Sequence, residues 1–368
     1  MKPIWLRGIV EISNRCRNNC LYCGIRAANA VVRRYCLDAD RILAAATTVR
    51  QAGCGTIVLQ AGDHPGLDDE TICEVVRRLK RDLQFPAVTL SLGVKTLPQL
   101  AAYRAAGADR YLLRFETSNP ARFAAIHPDE TLEQRLACLR DIRQAGLWVG
   151  TGFMIGLPGQ TEADLEQEIA FTAALQPDMV GCGPFIPNPQ TPLAGAASEF
   201  ASLEPYYRAI RRLRELLPNA RIPATTAFDA LEPGGRRKLL LSGFVDVYMP
   251  NFTPTDCRGD YLLYPGKPGV DETPERLAET LLPDLRGLGL DPIDEWGDRN
   301  PLSDGVIVNG KPRPLPLPCT LSAALACLGV RGQVATEVNG TIVQSDARPQ
   351  TVLKPGDSLE VITFVGGG

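Results

Sequence analysis

The stretch Ile4-Trp-Leu-Arg-Gly-Ile-Val-Glu-Ile-Ser13, followed two residues later by Cys16-Arg-Asn-Asn-Cys20-Leu-Tyr-Cys23, decides how this sequence folds. The first part is a β-rich apolar run with the character of a buried strand, so the cysteines sit on a loop leaving a strand's carboxyl end. Parallel α/β folds gather their chemistry on such loops. Three thiols at spacings of four and three can each hold one iron of a 4Fe–4S cube and leave the fourth iron open. The competing zinc site needs four closed ligands, and the two histidines of the chain, His64 and His127, are not beside the motif in sequence.

Similar β-rich runs recur at 4–13, 56–61, 87–92, 110–116, 148–155, 179–186, 221–227 and 245–251. Helical periodicity fills the intervals, as in 38–52, 69–83, 97–106, 132–145 and 162–175, often ending at a glycine. This alternation predicts an α/β fold, a (β/α)8 TIM-type barrel over residues 1–283, with every strand's carboxyl end at one mouth. The polar residues near those ends are then the candidates: Arg7, Gln60 to Asp63, Thr89, Ser91, Arg114, Glu116, Thr151, Met154, Thr225, Thr226 and Asn251. A lone Thr or Ser there can equally be a loop cap. Arg114 and Glu116 stand apart, because on a strand they share one face and buried charges need partners.

Gly, Pro and Asp accumulate over 284–304, which reads as a linker or an ordered strap. Beyond it, residues 305–368 form a second small domain. Strand, Asn309-Gly310 turn and strand are followed by a helix from Thr320 to Leu328 capped by Thr320. A second Asn-Gly turn at Asn339-Gly340 and a last strand over 358–365 complete the set. This order predicts an α+β β-grasp, ubiquitin-like domain.

The 368 residues are 45% apolar and 22% charged, ordinary globular composition. A net charge of -3 gives no footprint for nucleic acid, and no apolar run approaches a membrane span. Met1 leads into the first strand without a cleavable leader, so a cytoplasmic location is expected. The eleven cysteines then belong to a reducing compartment. Outside the triplet, Cys36, Cys54, Cys73, Cys138, Cys182, Cys257, Cys319 and Cys327 read as small core hydrophobes.

The triplet, the strand before it and Gly24-Ile-Arg-Ala-Ala-Asn29 resemble the radical S-adenosylmethionine (SAM) superfamily. Ile57-Val-Leu-Gln-Ala-Gly-Asp63, Thr89-Leu-Ser-Leu-Gly93, Gly107 to Arg114, Gly150 to Gln160, Met179 to Pro187, Ile222-Pro-Ala-Thr-Thr226 and Met249-Pro-Asn251 are similar to its branch holding the FeFe-hydrogenase maturase HydE, biotin synthase and methylornithine synthase. The resemblance runs from residue 4 to about 266 and implies a 4Fe–4S cluster and SAM as cofactors. It implies that Cys16, Cys20 and Cys23 hold the cluster, with Tyr22 packed beside it. Gln60, Gly62 and Asp63 match the strand-two motif near the amino group of SAM, Ser91 and Glu116 match SAM-binding positions, and Arg135 matches an arginine that pairs the SAM carboxylate. Arg7, Gln60, Thr89, Arg114, Met154, Thr225, Thr226, Tyr261 and Tyr264 match residues lining the substrate cavity, with Arg114 and Tyr261 counted as catalytic. Four features depart from the pattern: Asp63 replaces a Glu, Phe115 replaces a His, and the accessory cysteine cluster after Tyr264 and the helical extension before the first strand are expected to be missing.

The last domain resembles ThiS, the sulfur carrier of thiazole synthesis, through its Asn-Gly turns, Gly356-Asp357 and the ending Phe364-Val-Gly-Gly-Gly368. A side-chain-free tail of this kind threads into an adenylating enzyme, and Gly367 and Gly368 would end in a thiocarboxylate. The resemblances together imply reductive cleavage of SAM to methionine and a 5'-deoxyadenosyl radical that acts on a small cysteine- or amino-acid-derived substrate. An electron donor such as flavodoxin or ferredoxin is implied, as is an adenylating or sulfur-transfer partner for the tail. Two other readings stay open: sulfur-transfer or thiazole-type biosynthesis fed by the fused carrier, and a non-catalytic scaffold bearing a carrier tail.

Overall fold

The computed structural model describes residues 1–294, 306–309, 311–313, 315, 319–330, 332, 334–354 and 357–363. The chain divides into two compact units, Met1–Gly297 and Asp298–Gly368. In the first, β1 (Lys2–Ser13), β2 (Thr56–Ala61), β3 (Ala87–Ser91), β4 (Arg110–Leu112) and β5 (Trp148–Thr151) pair in parallel in chain order. Between them run α1 (Ala39–Gln51), α2 (Asp69–Arg81), α3 (Leu97–Ala106), α4 (Pro120–Ile126) and α5 (Leu132–Gln144). Their starts are chemically marked. Asp38 and Asp68 accept from the first-turn amides of α1 and α2, and Thr96/Gln99 and Thr131/Gln134 form capping boxes on α3 and α5.

The expected strand over 148–155 is divided into β5 and β6 (Met154–Ile155), and the one over 179–186, beyond α6 (Glu162–Leu175), into β7 (Met179–Val180) and β8 (Gly183–Pro184). The cause is a close backbone crossing: a Cβ on Gly152 would lie 2.3 Å from the Gly181 carbonyl oxygen. The expected strand over 221–227 is a correction: it pairs only through single bridges, Arg221 with Met179 and Pro223 with Val247. Those bridges, with β9 (Val247–Tyr248) pairing β1, carry the parallel round from β7 back to its beginning. The wall is thus a TIM-type (β/α) barrel with one thin side.

The expected linker over 284–304 also needs correction at its start. Residues 284–287 finish α11 (Pro274–Gly287), which follows α7 (Glu204–Leu216), α8 (Ala227–Leu231), α9 (Gly235–Ser242) and the short α10 (Thr255–Arg258). Residues 290–293 then form β10, paired in parallel with Lys2–Trp5 of β1. Apolar Leu290 is buried and supplies the packing that a Gly- and Pro-rich composition concealed. Residues 295–304 lie outside the described residues.

In the second unit, Val306–Val308 pairs antiparallel with Lys311–Arg313 and parallel with Ser358–Thr363, which pairs antiparallel with Val334–Val338. Thr320 caps the helix Leu321–Cys327 through Ala323 N, as expected, and Leu321, Ala324, Leu353 and Leu359 fill the core. Asn309 (φ 48°) and Asn339 (φ 51°) take the left-handed conformation that the turns require. Gly356, Gly367 and Gly368 lie outside the described residues.

Cys54, Cys73, Cys138, Cys182 and Cys257 are buried, whereas Cys36 and Cys327 are exposed and not core filler. Among the described residues no helix is long and apolar enough to cross a membrane.

Candidate active site

A cavity of about 330 Å³ opens inside the barrel at the strands' carboxyl ends. Cys16, Cys20 and Cys23 line one side of it with Tyr22. Gln60, Gly62, Asp63 and Ser91 line it from β2 and β3, and Arg114, Glu116, Arg135 and Met154 from the next sector. Thr225, Thr226, Tyr261 and Tyr264 complete the lining. Arg7 and Thr89 are absent from the lining. Both are fully buried deeper in the barrel, where Arg7 Nη1 meets the Met179 sulfur at 2.7 Å and Arg110 Nη1 donates to Thr89 at 3.3 Å and to Thr56 at 3.2 Å.

The cysteine loop fits against β2 because Gly62 has no side chain. A Cβ there would lie 2.5 Å from the Arg15 oxygen and 2.8 Å from Cys16 Cβ. Burial raises the pKa of all three thiols, and their mutual charge raises those of Cys20 and Cys23 further; Cys23 is pushed up to about 12. Among the described residues no three or more His, Cys, Asp or Glu form a group that could hold a single metal ion. A donor set of three soft thiols along one wall suits a cluster in which each iron takes its own thiolate, and the residues fit that group.

On the same cavity wall, Arg114 Nη2 pairs with Glu116 Oε2 at 3.0 Å. The pairing was expected from a shared strand face, but β4 ends at Leu112 and Glu116 has φ 67°. A left-handed glutamate is strained, and it is held because Glu116 N donates to the Gly152 oxygen and Met154 N to the Glu116 oxygen. Arg135 donates to Glu130 (2.6 Å) and to the Arg114 oxygen (2.6 Å). Burial works against its charge, but Glu130, Tyr22 and Glu116 outweigh burial and hold its pKa above the ordinary value. Asp63 is paired with Arg17 at 3.1 Å, and its burial raises its pKa all the same. Gln60 Nε2 donates to the Tyr261 hydroxyl at 3.3 Å, Thr225 donates to the Cys182 oxygen at 3.1 Å, and the Thr226 and Tyr264 hydroxyls bond each other. Phe115, in place of the family's histidine, is buried against Phe153 and Phe171.

Three contributors escaped the sequence reading. His127, more than a hundred positions from the motif, places Nδ1 3.3 Å from Cys20 Sγ and Nε2 3.0 Å from the Tyr22 hydroxyl. Burial, helped by the charge of Arg135, lowers its pKa to about 2, so the ring is neutral. Glu130 accepts from Asn18 (2.7 Å) as well as from Arg135. Buried Glu11 pairs with Lys267 and accepts from Asn251 at 3.0 Å, while Lys267 also donates to the Tyr261 oxygen, tying that residue's loop to β1. A carboxylate inside the apolar run Ile9-Val-Glu11-Ile12 was a legible signal. Nothing local marked His127.

The radical SAM superfamily model matches residues 10–172 and the ThiS family model residues 306–368. The chain is 42% identical over 296 residues to the [FeFe] hydrogenase maturase subunit HydE of Thermotoga maritima, covering 80% of this chain and 84% of that protein. The chain belongs to the radical SAM superfamily, on its HydE branch. As a radical SAM enzyme with a ThiS-like C-terminal domain, it uses a 4Fe–4S cluster and SAM. Biotin synthase of Desulforudis audaxviator is 31% identical over 267 residues, 69% of this chain and 75% of that one. The fold is shared with methylornithine synthase (TM-score 0.66, 22% identity, 79% of this chain and 84% of that one). It is also shared with the maturase HydG of Carboxydothermus hydrogenoformans (TM-score 0.65, 23% identity, 79% and 67%).

Proposed function

We propose that this HydE-type enzyme acts on a small cysteine- or amino-acid-derived substrate, with Cys16, Cys20 and Cys23 as the cluster ligands. The observation that carries the reading is the single cavity onto which the three thiols, the Arg114–Glu116 pair, Arg135 and the Tyr261 and Tyr264 rings all open. When bound, the reduced cluster would supply one electron and SAM would accept it, a chemistry that parts a carbon–sulfur bond into methionine and a 5'-deoxyadenosyl radical. The chain's own residues orient and shield. Arg135, with Glu116 and Ser91 nearby, holds the charged amino-acid end of SAM, and Gln60, Gly62 and Asp63 border its amino group. Arg114 and the hydroxyls of Thr225, Thr226 and Tyr264 receive a carboxylate-bearing substrate, with Met154 as an apolar wall. Tyr261, held by Gln60 and Lys267, closes the mouth against water. Arg7 and Thr89 act from beneath, as supports.

The location is cytoplasmic in this reading, and a flavodoxin or ferredoxin supplies the electron. The ThiS family match favours one further role, in which an adenylating partner activates the Gly368 carboxylate, at the end of the Gly367-Gly368 tail, with ATP, a sulfur donor displaces AMP to leave a thiocarboxylate, and sulfur transfer joins the barrel's chemistry. Intact mass after incubation with an adenylating enzyme, ATP and a sulfur donor tests that role; an unchanged mass rejects it. The substrate class is tested by adding cysteine-derived and other amino-acid-derived compounds, deuterated at carbon, to the reduced enzyme. A substrate raises 5'-deoxyadenosine formation and passes deuterium into it, and a panel that does neither overturns the assignment.

A further inference from the structure

The cysteine loop is held from below by one short segment at the end of α4. Leu21 N donates to the Ile126 oxygen at 2.9 Å, Asn19 N to Asp129 at 2.5 Å, and Asn18 to Glu130. His127 stands in the middle of this cradle. Its ring is 2% exposed, stacks on Phe123 with centroids 4.4 Å apart and planes 9° from parallel, and meets the Tyr22 ring edge-on at 5.5 Å. Packing on both sides fixes the plane of the imidazole, and its hydrogen-bond partners fix which way it faces, with one nitrogen at the Cys20 sulfur and the other at the Tyr22 hydroxyl.

That geometry has two tautomers, and ligation chooses between them. A thiolate bound to iron carries no proton and only accepts, so Nδ1 must carry the ring's proton. Nε2 is then an acceptor, and the Tyr22 hydroxyl donates to it. We infer that His127 is a positioning residue that donates a hydrogen bond from Nδ1 to the cluster-bound Cys20 sulfur, is locked in that tautomer by Tyr22, and thereby raises the cluster's reduction potential. Donation to a ligating sulfur draws off electron density and favours the reduced cluster. The inference rests on the reading of Cys20 as a cluster ligand.

The test is a potentiometric titration of the anaerobically reconstituted full-length protein, followed by electron paramagnetic resonance, with iron and sulfide measured in every sample. In His127→Leu the reduced-to-oxidised ratio at a fixed potential falls about tenfold, equivalent to about 59 mV for one electron. His127→Asn, whose amide nitrogen can occupy the place of Nδ1, recovers most of that loss. Tyr22→Phe, which keeps the ring but frees Nε2, shows a smaller fall in the same direction. Leu and Phe variants with full iron content that titrate with the wild type overturn the inference, as does a Leu shift that Asn leaves uncorrected. If the Leu variant holds no cluster, Tyr22→Phe decides, and a wild-type potential there rejects the relay. Wild-type protein lacking iron and sulfide removes the reading beneath the inference, a failure distinct from an unmoved potential.

Discussion

The floor and the mouth of the barrel use the same side-chain chemistry to opposite ends. On the floor, Arg7 and Arg110 are fully buried among Thr56, Thr89 and Met179, and burial pushes Arg7 down to about 10. At the mouth, Arg114 and Arg135 face a cavity, paired with Glu116 and Glu130 on one side and open to an incoming group on the other. Arg110 opens β4 and Arg114 follows just beyond its end, whereas Arg135 reaches the cavity from α5. A guanidinium below the cavity can only hold walls together, whereas one at a strand's carboxyl end can bind a ligand. Height along the strand, not residue type, separates support from function.

The largest effect expected of any single change lies at the mouth. Replacing Cys16, Cys20 or Cys23 by Ala abolishes cluster assembly and lowers SAM cleavage to background, while the circular dichroism spectrum and the unfolding midpoint stay near wild type. On the floor the pattern reverses. Arg7→Ala costs about 3 kcal/mol of folding stability in denaturant titrations, because it empties a fully buried site, while the protein that remains folded still assembles its cluster. Arg114→Ala, half-exposed at the mouth, costs only about 1 kcal/mol yet lowers turnover about a hundredfold. A result in which Arg7→Ala spares stability and removes substrate affinity would erase the distinction between the two layers.

A smaller effect is expected of Gly62→Ala. The added methyl meets the Arg15 oxygen and Cys16 Cβ, so about 1–3 kcal/mol of overpacking falls on the cysteine loop. Iron content per chain drops, and the unfolding midpoint falls by about 2–4 °C for each kcal/mol of that cost. The least effect belongs to the outer surface. Arg77→Ala removes two exposed ion pairs, with Glu70 and Glu74, and leaves both the unfolding midpoint and SAM cleavage where they were.

Which parts of this were legible follows from range. Local chemistry announces itself: the capping boxes at Thr96 and Thr131, the Asn-Gly turns and the Cys16–Cys23 spacing all act within a few residues. The assignment of Arg7 to the mouth failed on distance. It stands six residues before the end of β1, about 20 Å at the rise of a strand, and arithmetic alone would have put it on the floor. Thr89 is one inward-facing position below Ser91, and that single step moves it out of the cavity. The division of 148–155 and of 179–186 depends on the close crossing of Gly152 and Gly181, which no periodicity encodes. His127 reaches Cys20 only because α4 ends beneath the motif loop, a fact of tertiary packing.

The central claim is that the three cysteines at the barrel mouth hold an incompletely ligated cluster that reductively cleaves SAM. Its most direct test is to purify the protein anaerobically, count iron and sulfide, and follow 5'-deoxyadenosine after adding SAM and a strong reductant, with the Cys16, Cys20 and Cys23 to Ala triple variant beside it. The account predicts about four irons and four sulfides per chain, with nucleoside released by the wild type and none by the variant. Zinc bound in place of iron, or equal nucleoside from both proteins, would contradict it.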